Sequence, residues 1–380
     1  MKSILVVTGE TSGEEHAAEV IRALRDLSPE SYHWFGSGGS RMAEEGVELM
    51  TRIDSLSAIG PVAACSNLVD YLRLFRRILK RVGKSPPVLA VLVDFPEFNL
   101  RLASRLRKRG IPVCYFISPQ IWAWRPGRVS SIRRHVDRML VILPFEVPFY
   151  RRHGVDAVYV GNPMARLRPA TGANHTTSPN GRRARIALLP GSRRKEINQI
   201  FPVQLEAAAL MNSRLPCSFR VVAAPEVDDE HLLGVYKEWQ GNQGSGVDLK
   251  MVRGAIEEQL PWADCAIVKS GTSTLQAMVL KVPFAMVYRM SELSYRLLRP
   301  LVKTESFCLA NLVAGRQIAP EFVQGAARGA AIAAYLLDLL TSPDRMRKVK
   351  QNLEIASKKL GTLDAYQETA KEIMTLLEAR

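Results

Sequence analysis

Residues 188–197 read LLPGSRRKEI. An apolar run stops at Pro-Gly-Ser and three cations follow, so a buried strand gives way, through a tight turn, to a helix crowded with positive charge at its start. A helix N-terminus already carries partial positive charge, and like charges on one turn repel. An anion makes the arrangement favourable. Backbone N–H groups, Arg193, Arg194 and Lys195 converging on one point would hold a diphosphate by charge-assisted hydrogen bonds. The spacing is not that of a G-x-x-x-x-G-K-[ST] phosphate loop. A solvated basic helix end is the plain alternative.

The same strand-to-helix grammar recurs along the chain. Ser3–Val7, Val88–Val93, Val113–Ile117 and Met139–Leu143 read as buried strands in the first half; Arg185–Leu189, Phe219–Ala223, Leu249–Val252, Cys265–Val268 and Phe284–Tyr288 do so in the second. Uninterrupted apolar strands separated by helical patterns predict α/β architecture with parallel sheets covered on both faces. RPATGANHTTSPNGRR (168–183) is polar, rich in Pro and Gly and without periodicity, a domain linker. The expected organisation is a Rossmann-like domain over 1–167, the linker, a second Rossmann-like domain over 184–325 and a helical tail over 326–380. Two doubly wound domains facing across a cleft would bind ligands at the carboxyl edges of their strands.

Composition narrows the function. The 380 residues suit two domains, and 47% hydrophobic residues supply their cores. A net charge of +15 calls for an anionic partner, whether nucleic acid, acidic membrane or phosphorylated substrate. The five cysteines are scattered, which excludes a zinc ribbon and a disulfide scaffold. The opening MKSILVVTGE is too short for a signal peptide, and no stretch approaches the roughly 20 apolar residues of a membrane span. A cytoplasmic protein is expected. The six histidines are dispersed, with no H-E-x-x-H or D-x-D pattern, so neither metal nor cofactor is expected and charge stabilisation falls to Arg, Lys and helix dipoles.

Four further junctions carry candidate chemistry. In TGETSGEEHAAEV (8–20), Ser12 and Glu15 have capping-box spacing and Gly13 permits a tight turn, while Glu10 would repel a diphosphate; a sugar- or acceptor-binding turn and a structural one both fit. FGSGGSRM (35–42) admits the same two readings. In VLVDFPEFNLRLA (91–103), Asp94 ends a very apolar strand, where desolvation would raise its pKa toward that of a general base; an N-capping Asp before proline is the alternative. Glu97 and Asn99 follow it. YFISPQIWAWRPGR (115–128) offers Gln120, two tryptophans and Arg125 for stacking on a base or sugar, or for packing. In KSGTSTLQAMVLKVPFAMVYR (269–289), Gly271 allows close approach, and Thr272 and Ser273 place hydroxyls and amides at a second helix start. Two such starts aimed at one place point to a nucleotide diphosphate.

Taken in order, GETSGEEH, GSGGSRM, VDFPEFN, SPQIWAWRPGR, ILPFEVPFY, VGNPM, LPGSRRKEI, SGTSTLQA, VYRMS and NLVAGRQIAPEFVQ resemble the lipid A disaccharide synthases across nearly the whole chain. The resemblance implies a GT-B fold and an inverting, metal-free reaction. UDP-2,3-diacylglucosamine and 2,3-diacylglucosamine 1-phosphate (lipid X) would give the β-1,6 disaccharide 1-phosphate and UDP. It implies Asp94 as the base on the acceptor 6-hydroxyl, with Glu10 beside it and Ser12, Gly13, Asn99 and Gln120 around the acceptor. It assigns Ser192, Arg193, Ser270, Gly271, Thr272, Gln276, Asn311 and Arg316 to the UDP donor. Family members carry Glu where this chain has Gln276, expected at the ribose; Gln keeps the hydrogen bonds and loses charge assistance. A homodimer is compatible with the resemblance.

Lipid substrates give SNLVDYLRLFRRILKRVGK (66–84) a second meaning. Leu68, Tyr71, Leu72, Phe75, Leu79 and Val82 share a helical face, Leu74 and Ile78 broaden it, and Arg73, Arg76, Arg77, Lys80, Arg81 and Lys84 supply cations. Such a helix suits the anionic inner leaflet and the acceptor's acyl chains, and would dock the enzyme peripherally, with Ser at 74 and 78 tolerated by the fold. It equally suits an ordinary core helix. Two rival functions remain: another UDP-sugar enzyme of this fold, such as an epimerase, and a nucleic-acid-binding protein. No nucleic-acid motif accompanies the dispersed cations, so no nucleic-acid partner is expected.

Overall fold

The structure, a computed structural model, describes residues 1–28, 30–52, 63–124, 126–169, 183–224, 227–243 and 247–379. The chain divides into two compact units, Met1–Pro163 with Thr362–Arg380, and Met164–Gly361. Residues 170–182 of the expected linker, and Arg125, lie outside the described residues. The helical tail does not stay together: its last helix belongs to the first unit.

The first unit begins β1 (Ser3–Val7), α1 (Thr11–Leu27), β2 (His33–Gly38), α2 (Ser40–Glu44), β3 (Glu48–Arg52), α3 (Ala63–Lys84) and β4 (Leu89–Val93). It continues α4 (Pro96–Arg107), β5 (Val113–Phe116), α5 (Ile121–Trp124), α6 (Val129–His135), β6 (Arg138–Val141), α7 (Glu146–Arg152) and β7 (Ala157–Tyr159). The second runs β8 (Ala184–Leu189), α8 (Arg194–Asn212), β9 (Cys217–Val222), α9 (Asp229–Gln243), β10 (Leu249–Val252), α10 (Ile256–Gln259) and β11 (Cys265–Lys269). Then come α11 (Thr272–Val279), β12 (Phe284–Tyr288), α12 (Glu292–Leu298), α13 (Leu309–Ala314), β13 (Glu321–Val323), α14 (Gly329–Thr341) and α15 (Pro343–Lys358). The closing α16 (Ala365–Glu378) returns to the first unit.

Both sheets are parallel, ordered β3-β2-β1-β4-β5-β6-β7 and β10-β9-β8-β11-β12-β13. Each winds outward in two directions from a central pair, β1/β4 or β8/β11. Side chains alternate along a strand, so β1 sends Leu5 and Val7 into one core and Ile4 and Val6 into another. The first core takes Leu74, Ile78 and Val82 from α3, and the second takes Val20, Ile21 and Leu24 from α1 with Ala370 and Ile373 from α16. In the second unit, one face of the sheet packs on α8 and α14 through Ile197, Phe201, Ile332 and Leu336. Among the described residues, no helix is long and apolar enough to cross a membrane.

Candidate active site

In a doubly wound sheet, the strands on either side of the reversal send their next helices to opposite faces, which leaves a crevice at their carboxyl ends. The first unit's crevice is entered by the turns after β1 and β4. Asp94 and Phe95, which follow β4, both lie in the left-handed region (φ 47° and 51°), costly for residues with a Cβ. Several contacts offset that cost. The Asp94 amide donates to the Phe116 carbonyl (3.0 Å), and its carbonyl accepts from Tyr115 Oη (2.5 Å) and Asn99 Nδ2 (2.8 Å). Burial pushes the Tyr115 phenol well above its ordinary value, so it remains a donor. The Phe95 ring stacks on Phe98 with centroids 5.2 Å apart, and Gly9 is required opposite, because a Cβ there would lie 2.4 Å from that ring. The backbone is thereby locked with the Asp94 carboxylate at the strand's end.

Asn99 is fully buried, and its amide also reaches the carbonyls of Val93 (3.3 Å) and Val7 (3.4 Å), joining the ends of β4 and β1. Expected as an acceptor ligand, it is a positioning residue beneath Asp94. Glu10 is exposed at the end of the neighbouring turn and is itself the N-cap of α1 without a side-chain cap bond. The capping box expected from Ser12 and Glu15 does not form: Ser12 is exposed within the first helical turn, and Glu15 pairs with Arg41 (3.3 Å). Gly13 is buried against Thr8, whose Oγ1 would lie 2.3 Å from a Cβ, so it serves packing rather than ligand approach. Gln120 is exposed one strand further on, just before α5.

Reasoning from sequence missed what holds that neighbouring segment. Glu146 is buried, and its carboxyl accepts from Ser118 Oγ (2.7 Å), Trp122 Nε1 (3.1 Å) and the Leu143 amide (3.1 Å). Burial pushes it up to about 7 against those donors. Its only sequence signal was a lone acid among the aromatics of PFEVPFY. His16, on α1, meets the Tyr366 hydroxyl (2.9 Å), and burial lowers it to about 4, so it is neutral at pH 7.

The second unit's crevice is lined by the turns after β8 and β11, neighbours paired at Leu189 and Val268. Gly191 (φ 109°) and Gly271 (φ 141°) turn the chain where a side chain would strain it. Each turn opens onto a helix start, α8 with Arg193 as N-cap and α11 with Gly271, and neither cap is closed by its side chain. The first two amides of each helix have no partner within it and lead toward the crevice, while those of Glu196 and Thr274 already reach the Arg193 and Gly271 carbonyls (2.9 and 3.0 Å). Lys269 and Glu196 pair at 3.0 Å, linking the two turns, and Arg193, exposed, approaches the same carboxylate at 3.5 Å. Beneath them the buried Gln204 donates to the carbonyls of Leu189 (3.1 Å) and Ile267 (2.9 Å). Gln204 thus repeats in β8/β11 the part played by Asn99 in β1/β4. Sequence singled out Asn99 for the acceptor rather than for this task, and it passed over Gln204, which reads as a polar interruption of an apolar helix face.

Ser192, Arg193, Gly271 and Thr272 therefore stand at the starts of α8 and α11, and the half-buried Gln276 lies further along α11. Three others assigned to the donor are already bonded within the protein. Ser270 uses its amide on the Val287 carbonyl (3.0 Å) and its hydroxyl on the Phe307 carbonyl (2.6 Å). Asn311 donates to Ala319 O (2.9 Å) and Glu321 Oε1 (2.7 Å) and accepts from the amides of Ile318 (2.9 Å) and Ala319 (3.0 Å). Its amide is saturated by these four bonds, which staple the loop between α13 and β13. Arg316 follows α13, bonds Asn352 on α15 (2.8 Å) and leads into β13, at the end of the sheet where strands begin.

α3 also departs from expectation. Leu74, Ile78 and Val82 face the core and Phe75 packs edge-on against Phe98 (5.6 Å), so Leu74, Ile78 and Phe75 are structural rather than membrane-facing. The residues at 74 and 78 consequently cannot be changed to Ser without breaching the core. The outward face carries Val69 and Leu72 with Arg73, Arg76, Arg77 and Lys80. The side chain of Leu68 lies outside the described residues. Among the described residues, no three His, Cys, Asp or Glu side chains gather as a metal-binding group.

Comparison with known proteins adds a second line. A family model described as lipid-A-disaccharide synthetase matches residues 4–374. Lipid-A-disaccharide synthases of Syntrophus aciditrophicus and Myxococcus xanthus are 37% and 38% identical, covering 99% and 98% of this chain and 98% and 97% of their own. Among solved structures, the calicheamicin glycosyltransferase CalG4 aligns with TM-score 0.58 at 14% identity, covering 100% of this chain and 98% of its own. A UDP-GlcNAc 2-epimerase from Neisseria meningitidis bound to UDP-GlcNAc aligns with TM-score 0.55 at 12% identity and full coverage of both. Those two share the fold, the two parallel α/β domains of the GT-B class. With the family model and both close relatives spanning nearly its entire length, this chain belongs to the lipid-A-disaccharide synthases, a family of glycosyltransferases.

Proposed function

We propose that the protein transfers 2,3-diacylglucosamine from UDP to the 6-hydroxyl of 2,3-diacylglucosamine 1-phosphate, giving the β-1,6 disaccharide 1-phosphate and UDP with inversion. The carboxylate of Asp94 takes the hydroxyl proton as the new O–C1 bond forms. The bond from C1 to the β-phosphate oxygen breaks on the opposite side, and its electron pair leaves with UDP. Arg193 and the leading amides of α8 and α11 neutralise the charge growing on that phosphate, a role that needs fixed donors more than mobile ones. Gln276 hydrogen-bonds the ribose. Glu10, Ser12 and Gln120 border the acceptor, and the outward face of α3 meets its lipid at the inner leaflet.

The observation that carries this reading is the left-handed Asp94–Phe95 pair held at the end of β4 by Asn99 and Tyr115. Strain of that kind persists where geometry is over-determined, and it clusters at functional sites. The test is a mass-resolved assay with the two acylated glucosamines and UDP detection. The wild type forms the disaccharide, whereas Asp94→Asn loses about a thousandfold in turnover, within the usual range for a general base, and keeps its UDP affinity. Full activity in Asp94→Asn would remove that residue from the chemistry. Absence of a disaccharide with the wild type would overturn the reading as a whole.

A further inference from the structure

Between β12 and α13 the second unit extends an excursion, residues 289–306, with a fastened base and a bare tip. At the base, Gln324 (φ 50°) accepts from the Met290 amide on Oε1 (2.8 Å) and donates from Nε2 to the Met290 carbonyl (3.1 Å). Tyr288 and Phe307 stack with centroids 5.5 Å apart, and Phe307 is held by Ser270 and Glu321. At the tip, α12 is N-capped by Ser291 Oγ, which accepts from the Ser294 amide, and the helix buries none of its residues. Leu293, Leu297, Leu298 and Leu301 are 72%, 67%, 40% and 49% exposed. Twelve large apolar side chains are exposed among the described residues, and these four fall within nine positions, so they form a patch rather than the usual scatter.

The margin of the patch is basic. Four exposed cations, Arg289, Arg296, Arg299 and Lys303, share the excursion with two carboxylates, Glu292, which is tied to Arg296 at 3.1 Å, and Glu305, leaving it net positive. Leu293 and Leu297 stand one turn apart on the same side of α12, with Arg296 beside them. An apolar groove on a protein would take the leucines but gives the cations no partner. Anionic headgroups over acyl chains satisfy both.

We propose that this tip inserts into the surface of an anionic bilayer, leucines at the acyl boundary and cations at lipid phosphates. The donor-binding unit would thus have its own hold on the membrane, separate from α3. The inference rests on the lipid-directed reading above, yet vesicle binding measures it without turnover, so the two can fail separately.

The test is sedimentation of the full chain with phosphatidylethanolamine/phosphatidylglycerol vesicles. The proteins compared are the wild type, Leu293→Ser/Leu297→Ser, Arg299→Glu/Lys303→Glu, and Val69→Ser/Leu72→Ser as the α3 reference. Both tip variants are expected to lower the partition coefficient about tenfold or more, with unchanged thermal unfolding because the altered side chains are exposed. Phosphatidylcholine vesicles should bind the wild type weakly and no longer distinguish Arg299→Glu/Lys303→Glu from it. Tip variants that bind like the wild type, with only the α3 variant released, would overturn the proposal. So would unchanged vesicle binding together with a shift in oligomeric state, which would assign the patch to a second copy, or with a raised KM for detergent-dispersed donor, which would assign it to substrate acyl chains.

Discussion

Replacing Gln204 with Met keeps the length and bulk of the side chain and removes only its hydrogen bonding. In the native chain its Nε2 joins the Leu189 and Ile267 carbonyls at 3.1 and 2.9 Å, where β8 and β11 begin to part. Each bond contributes about 0.5–1.5 kcal/mol net, and a buried carbonyl left unpaired costs about 1–3 kcal/mol. Against this, the buried Gln204 Oε1 has no hydrogen-bond partner, and Met relieves that burden by about 1–2 kcal/mol. The net loss should be about 1–3 kcal/mol, a large share of a stability that is typically only 5–15 kcal/mol. The strand ends also carry the Gly191 and Gly271 turns, so UDP affinity should fall alongside. Urea unfolding and calorimetric UDP titration measure the two effects on one sample. A variant within about 0.5 kcal/mol of the wild type and with undiminished affinity would refute the idea that this amide holds the crevice in shape.

Arg193→Ala should weaken UDP binding about tenfold while leaving stability alone, since the guanidinium is exposed and Glu196 keeps Lys269; unchanged affinity in titration would remove Arg193 from the site. Leu74→Ser should cost about 3–5 kcal/mol and Leu72→Ser under about 1 kcal/mol in denaturant unfolding, the reverse of what a membrane-facing Leu74 requires. Glu146→Gln should change how stability responds to pH. With its carboxyl held near 7 in the folded protein against 4.5 otherwise, the folded state keeps a proton that the unfolded state loses. Stability present below 4.5 is therefore lost as pH rises through 7. The wild type should lose about 2–3 kcal/mol relative to the variant between pH 5 and 7.5. His16 contributes the opposite slope in both proteins and cancels in the difference; equal pH profiles would count against the assignment.

The strands of both sheet centres were legible because continuous Val, Ile and Leu runs have few alternatives once helices flank them. The short edge strands β3 and β13 were not, since ELMTR and EFV carry too little apolar pattern. At the site, turn chemistry revealed the positions of Asp94, Gly191 and Gly271, whereas side-chain duties were concealed. Asn99 and Gln204 look like any polar residue on a helix, and only three-dimensional proximity of two strand ends gives them acceptors. Arg316 is similar: its charge is evident in sequence, but its bond to Asn352 on α15 depends on the direction of α13. On α3, hydrophobic spacing located a broad stripe without saying which edge of it met the core.

The return of α16 to the first unit bears on how the chain is made. Ala370 and Ile373 close the apolar face formed by Ile4, Val6 and Ile21, and Gly161 admits the Leu363 carbonyl so closely that a Cβ would lie 2.6 Å from it. During synthesis the N-terminal lobe thus emerges from the ribosome with a greasy flank uncovered, and it stays so until α16, more than three hundred residues further along, has been made. A nascent chain in that condition is a client for chaperones, and a premature stop late in the message would release a product whose defect lies more than three hundred residues upstream of the break.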